Sequence, residues 1–260
     1  MGPVNTSGQD SLGHAVRAAG IDVSPVWFDE VASTNDEARR LAGEGAPEWT
    51  VVVARHQTAG RGRLGRLWLD VPDRSLLCSM ILRPRLSPNE VHLVTLAAAV
   101  SVIDAAGLPG LAAKWPNDLV VGERKCGGIL AEADVHGGTV RHVVLGIGVN
   151  VSAGPEDLPQ EVRDTATSLV IEGASIDRDG LLAGFLGSLR GRLQSDGFPG
   201  SIVEAYRPLC RTLGRRVRAT TTSGDRFEGR AVDVDELGSL LVDRDGQLER
   251  VSFGEVEHVA

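Results

Sequence analysis

The sequence predicts an α+β fold over residues 1–212, followed by a small all-β unit over residues 213–260. Three observations carry this reading. Apolar and β-branched runs at 26–28, 50–54, 75–82 and 139–149 read as strands. Apolar side chains return at helical spacing at Val91, Val94, Ala98, Val102 and Ala105, and again at Leu181, Leu182, Phe185, Leu189 and Leu193. After Leu213 the texture changes to short strands at 217–220, 226–234, 240–242, 248–252 and 256–259. Turns at Ser223-Gly224, Leu237-Gly238 and Asp245-Gly246 separate them, as in a small barrel.

Taken in order, residues 1–9 are polar and expected to be disordered, and 11–19 form a short helix. Strand 26–28 leads to Ser33-Thr34, which precede a helix over 35–42. Thr34 with Glu37 fits a capping box, and the first turn of a helix also offers free N–H donors to a ligand. Strand 50–54 is buried. Ser87-Pro88-Asn89-Glu90 supplies cap, proline and reciprocal glutamate for a scaffold helix that Gly107 ends. Strand 111–115, a turn at Pro116-Asn117-Asp118, strand 119–121 and strand 124–134 follow. Gly137-Gly138 makes a two-residue hairpin. In 139–149, Val143, Leu145, Ile147 and Val149 alternate with Val144, Gly146 and Gly148, so one face is apolar and the other loses its side chains. Such glycines, like Gly127-Gly128, mark a bend or a closely approaching group. Helices over 177–195 and 201–209 complete the larger unit.

Composition narrows the function. A net charge of −8 over 260 residues argues against general nucleic-acid or acidic-membrane binding. Three dispersed cysteines fit neither a disulfide framework nor a zinc site, and the six histidines show no ligand spacing. No continuous apolar run reaches the ~18 residues of a membrane span, and residues 1–24 lack a signal-peptide core. A cytoplasmic location is expected.

Against this acidic background stands one basic loop, Gly60-Arg61-Gly62-Arg63-Leu64-Gly65-Arg66, closed by Leu67-Trp68. Glycines let backbone N–H groups approach a ligand, and guanidinium forks suit carboxylate and phosphate oxygens. No acidic residue lies between Glu48 and Asp70, so nothing nearby in the chain neutralises the arginines. The loop is short and unrepeated, unlike a disordered Arg-Gly tail. It lacks the Gly-Lys-Ser/Thr of a phosphate-binding P-loop and the helix that follows a dinucleotide fingerprint. A small anionic ligand is the expectation. Further along come Lys114-Trp115-Pro116-Asn117-Asp118, then Arg124-Lys125-Cys126-Gly127-Gly128-Ile129-Leu130, and Gly146-Ile147-Gly148-Val149-Asn150.

Together with Ser33-Thr34-Asn35 and the stretch from Gln57 to Trp68, these segments resemble the biotin protein ligases, in the same order and over nearly the whole chain. The resemblance implies a mixed sheet with helices on one side, of the class II aminoacyl-tRNA synthetase/biotin ligase kind, and a C-terminal SH3-like barrel. It implies two steps: biotin and MgATP give biotinyl-5′-AMP and pyrophosphate, and the acyl group then passes to one lysine of a biotin carboxyl carrier protein domain. Bringing a carboxylate to an α-phosphate needs fixed cations, for which Arg61, Arg63, Lys114 and Lys125 are available. Asp118 is a candidate to orient or deprotonate the acceptor lysine.

By resemblance, Ser33, Thr34, Asn35, Gln57, Gly60, Arg61, Arg63, Trp68, Lys125, Gly127 and Gly128 belong to the biotin site, with Lys125 at its carboxylate and Gly60, Arg61 and Arg63 in the adenylate-binding loop. Arg61, Arg63, Arg66, Trp68, Lys114, Asn117, Lys125 and Asn150 belong to the ATP or adenylate site. ATP and Mg2+ are implied, with no metal ligand assigned. Trp115 is expected to pack under the loop. Fewer than thirty residues precede the first strand, so a DNA-binding domain and DNA partner are not expected; nor is a membrane partner. A monomer or weak homodimer is expected. Some relatives cover adenine with a tryptophan near 165–169, where this chain has no aromatic. The rival readings are a lipoate or octanoate ligase or transferase of the same fold, and a non-enzymatic biotin-sensing regulator.

Overall fold

The computed structural model describes residues 13–14, 16–22, 25–221, 224–252 and 254–259. The segment 1–9 and Ser223 lie outside them, as does part of the helix expected over 11–19; Val16 within it is helical and buried.

Seven strands form one sheet: β1 (Val26–Val31), β2 (Val51–Gln57), β3 (Ser75–Leu82), β4 (Leu111–Lys114), β5 (Asp118–Val121), β6 (Arg124–His136) and β7 (Thr139–Asn150). Their order is β1-β2-β3-β7-β6-β5-β4. Only β1 and β2 run parallel within it; every other neighbour is antiparallel, so the sheet is mixed. Gly137 and Gly138 take φ of 57° and 78° in the β6–β7 hairpin, the left-handed pair that this tight turn requires.

Alternation decides which face does what. Val51, Val53, Cys78, Met80, Leu145 and Ile147 join the main core. That face is covered by α2 (Val91–Ala106), α3 (Arg178–Leu193) and α4 (Gly200–Tyr206). The opposite face is not bare, which corrects the expectation of helices on one side. There α1 (Thr34–Gly43) lays Ala38 and Ala42 over Val52, Ile81 and Val144.

The capping box at Ser87 and Glu90 forms as read, and Gly107 ends α2 at φ 56°. By length and mean hydropathy, 88–106 could cross a membrane; its apolarity is accounted for by burial in this core. α2 is more than scaffold, because its first turn reaches a cavity described below.

Strands β8 (Arg216–Thr221), β9 (Arg226–Val234), β10 (Leu240–Arg244), β11 (Gln247–Val251) and β12 (Gly254–His258) form a second, antiparallel sheet of order β11-β10-β9-β8-β12. Trp115 fastens it to the rest. Its indole N–H donates to Gly238 O at 2.9 Å, its backbone N–H to Thr212 Oγ1 at 3.0 Å, and its ring meets His92 edge-on. Trp115 therefore packs beneath the small sheet, and it also lines the cavity that the basic loop borders. This docking brings β12 to the mouth of the site.

Candidate active site

The basic loop closes on itself. Gly62 N–H donates to Arg66 O at 2.7 Å and Trp68 N–H to Gly60 O at 2.9 Å. Gly60 is obligatory, since a Cβ there would sit 2.6 Å from Trp68 O. At the tip Leu64 and Gly65 both take positive φ, 55° and 74°, an uncommon state for leucine.

Folding distributes the three arginines differently from the sequence expectation. Arg61 Nη2 lies 2.5 Å from Glu132 Oε2 and 3.2 Å from Asp36 Oδ1, and Arg66 pairs with Glu255 of β12. Two loop cations are thus neutralised by residues remote in the chain. Among the described residues, Arg63 meets only neutral acceptors: Gly254 O at 3.1 Å and Asn117 Oδ1 at 3.5 Å. Burial pulls its guanidinium below the ordinary range, against the pull of Asp118 and Glu255. An arginine stays charged regardless, so this desolvated cation gains most from an incoming anion.

The second cationic segment faces the first. Lys114 ends β4 and Asp118 opens β5 directly opposite it. Lys125 Nζ reaches Asp118 Oδ1 at 2.5 Å and stands 5.8 Å from the Trp68 ring centroid. Among the described residues, no carboxylate pairs with Lys114. Asn117 is locked by its side-chain NH2 to Ile129 O at 2.8 Å and by Ile129 N–H to its own carbonyl at 2.9 Å, so its Oδ1 is left for Arg63. Arg61, Arg63, Arg66, Trp68, Lys114, Asn117, Asp118, Lys125 and Gly128 all line one cavity of about 220 Å³, with Glu255 and Glu257 on its rim. Across the loop lies a cavity of about 480 Å³, reaching Val91, His92 and Thr95 of α2.

A polar chamber adjoins these. Ser33 holds the N-cap position of α1 but its side chain caps nothing. The expected Thr34–Glu37 capping box does not form. Thr34 instead donates from its backbone and hydroxyl to Gln57 Oε1, at 2.8 and 3.1 Å, while Glu37 pairs with Arg40. Ser79 of β3 sits 2.7 Å from Thr34 Oγ1 and 2.6 Å from Asn35 Oδ1. The chamber, about 30 Å³, is walled by Ser33, Thr34, Asn35, Gln57, Arg61 and Trp68 over Gly146 and Gly148. Both glycines make room for this chain's own side chains. A Cβ on Gly146 would lie 1.9 Å from Asn35 Oδ1, and one on Gly148 2.6 Å from the Trp68 indole. Among the described residues, Trp68 Nε1 and Arg61 Nε are buried donors that find no partner. Unpaired buried donors of this kind suit a ligand that brings acceptors.

Comparison with known proteins now bears on this geometry. Residues 27–150 match the biotin/lipoate A/B protein ligase family, and 212–259 match the biotin protein ligase C-terminal domain. The chain is 36% identical over 240 residues to the bifunctional ligase/repressor BirA of Bacillus subtilis, covering 89% of this chain and 73% of that one. The chain belongs to the biotin protein ligase family. It is also 35% identical over 241 residues to the biotin–[acetyl-CoA-carboxylase] ligase of Mycobacterium tuberculosis, covering 88% and 87% of the two chains. A biotin protein ligase from Aquifex aeolicus, solved with biotin and ATP, superposes with a TM-score of 0.73 at 28% identity, over 90% of this chain and 97% of that one.

Within this family member, three sequence-predicted positions, Gly60, Gly127 and Asn150, fall outside the cavities; Gly60 serves the loop's own closure. Gly127 faces the core, where a Cβ would meet Gly148 O at 2.9 Å and Leu119 at 3.1 Å; its smallness serves packing. Asn150 is buried and its amide is already used, donating to Thr167 O at 3.0 Å and accepting from Ser75 at 3.4 Å. It fastens β7 to the following segment. That segment in turn buttresses Lys125, whose backbone exchanges bonds of 2.8 Å with Thr165 O and Thr167 N–H. Ser79, Glu132, Asp36 and Glu255 were not anticipated. Only Ser79 had a signal, since Ser75 and Ser79 interrupt one face of an otherwise apolar strand.

Proposed function

We propose that this chain is an ATP-dependent ligase that activates biotin as biotinyl-5′-AMP and transfers it to a lysine of a carrier domain of acetyl-CoA or acyl-CoA carboxylase. Arg63, Lys114, Lys125 and Asp118 lining one cavity beside the Ser33–Gln57 chamber is the observation that carries this reading. A carboxylate oxygen of biotin attacks the α-phosphorus, and the bond from that phosphorus to the β-phosphate oxygen breaks. Arg63 and Lys114, which have no carboxylate partner among the described residues, take up charge on the phosphoryl oxygens. Lys125 meets the biotin carboxylate first and the α-phosphate after. Ser33, Thr34 and Gln57 offer hydrogen bonds to the biotin ring system, with Trp68 as its wall.

In the second step an uncharged lysine amine attacks the acyl carbon and AMP leaves. Asp118, ion-paired with Lys125, takes the role of accepting the proton the amine loses. Among the described residues no group of three or more His, Cys, Asp or Glu could hold a metal ion. Mg2+ would enter on the nucleotide phosphates, as is usual for this ion. We further propose catalytic and C-terminal units divided at 212/213, a cytoplasmic location, and a monomer or weak homodimer.

Pyrophosphate release tests the first step. Biotin with MgATP should release one pyrophosphate per active chain in a burst, and lipoate or octanoate should release none. A burst with lipoate or octanoate alone would transfer the reading to those acids. No burst with any of the three would favour a sensing role.

A further inference from the structure

We propose that Glu132 is a positioning residue for adenylate retention, fixing Arg61 of the basic loop and Asn35 of α1 with one carboxylate; the proposal rests on the ligase reading above. Three donors converge on its Oε2: Arg61 Nη2 at 2.5 Å, Arg39 Nη2 at 2.7 Å and Asn35 Nδ2 at 2.9 Å. They come from two segments that the chain brings to β6 independently. Asn35 is held at its other end by Ser79, and its Oδ1 lies flat where Gly146 has no side chain. Arg61 has a second carboxylate in Asp36, on the first turn of the same helix. Two guanidiniums thus meet two carboxylates, and the loop is tied to α1 through them.

Glu132 itself borders the 480 Å³ cavity and is not part of the polar chamber that Arg61 and Asn35 line. Nor does it line the 220 Å³ cavity, where Arg61 stands with Arg63, Lys114 and Lys125, so its influence on an adenylate held there passes through Arg61. Arg61 Nε, buried without a partner, is the donor it leaves in place for the ligand. Partial burial on its own would raise the Glu132 carboxyl. Asn35, Arg39 and Arg61 outweigh that and bring it below its usual value, so the anchor is ionised at neutral pH.

The test compares wild type, Glu132→Gln, Arg61→Gln and the double variant, each loaded with biotinyl-5′-AMP made in place from biotin and MgATP. Glu132→Gln keeps an acceptor for Asn35 but loses the charge that holds Arg61. Adenylate release should quicken about tenfold, within the range measured for coupled neighbours, while the affinity for biotin alone stays within about threefold. Adding Glu132→Gln to Arg61→Gln should change release no further. Wild-type-like retention in Glu132→Gln, additive effects in the double variant, or equal losses for biotin and adenylate with a lowered melting temperature would each overturn the positioning role. Wild type that makes no adenylate would instead overturn the ligase reading on which this one stands.

Discussion

Replacing Arg63 by methionine removes the one loop guanidinium that has no carboxylate contact among the described residues and leaves an apolar stem of similar reach. The partners it abandons are Gly254 O and Asn117 Oδ1, both neutral and both at the long end of hydrogen bonding. In the mechanism proposed above, a phosphoryl group supplies the anion that pairs its charge. Hydrogen bonds to charged groups contribute about 1.5–3 kcal/mol each. At 1.36 kcal/mol per tenfold, the variant should hold biotinyl-5′-AMP about 10- to 150-fold less tightly. In the proposed arrangement biotin alone presents its carboxylate to Lys125, so its affinity should fall by about fivefold at most, the range of a partly exposed ion pair. Stability should hold steady or rise, because a desolvated cation is removed. Calorimetric titration gives the biotin affinity, and chase of preformed adenylate gives its retention. Equal losses for the two ligands would refute the assignment, and a falling melting temperature would show that Arg63 is structural.

Gly148→Ala places a methyl 2.6 Å from the indole of Trp68; overpacking of this kind costs about 1–3 kcal/mol, and the ring must shift. The expected readout is altered tryptophan emission and weaker biotin binding, and wild-type values for both would contradict the close packing. Trp115→Phe leaves Gly238 O without its indole donor. Stability in urea should drop by about 1–3 kcal/mol, and an unchanged midpoint would mean that the small sheet docks by other contacts. His92 is pushed down to about 4 by burial, with Arg63 adding to the effect and Asp235 opposing it. Between its ordinary value of 6.5 and about 4 the unfolded chain binds the proton and the folded chain does not, so stability falls as pH drops through that window. His92→Phe should flatten the melting-temperature curve there relative to wild type; parallel curves would refute it.

Local chemistry was legible where neighbours in sequence decide the outcome. Ser87-Pro88-Glu90, Gly107 and Gly137-Gly138 did in the fold what their spacing implied. Ser33 and Thr34 misled because a capping pattern is a local rule, and here Gln57 and Ser79 outcompete it with contacts made only after β2 and β3 assemble. The glycines at 146 and 148 announced a close approach, but the sequence held no sign that Asn35 and Trp68 were the groups approaching. Charge was the largest gap. The run around Arg61–Arg66 contains no acid, yet Glu132, Asp36 and Glu255 arrive from β6, α1 and β12. Neutralisation is a property of the folded surface, so the difference between Arg63 and its two neighbours appears only in three dimensions. Asn150 shows the converse: a motif position whose amide the fold has already committed.

One mass measurement decides whether this cleft serves ligation. A biotin carboxyl carrier domain incubated with this protein, biotin and MgATP should gain the mass of one biotinyl group, and a carrier with its acceptor lysine changed to arginine should gain nothing. A carrier whose mass stays unchanged, with protein that titration shows to bind biotin and MgATP, would contradict the claim that this cleft joins an acid to a nucleotide for delivery to lysine.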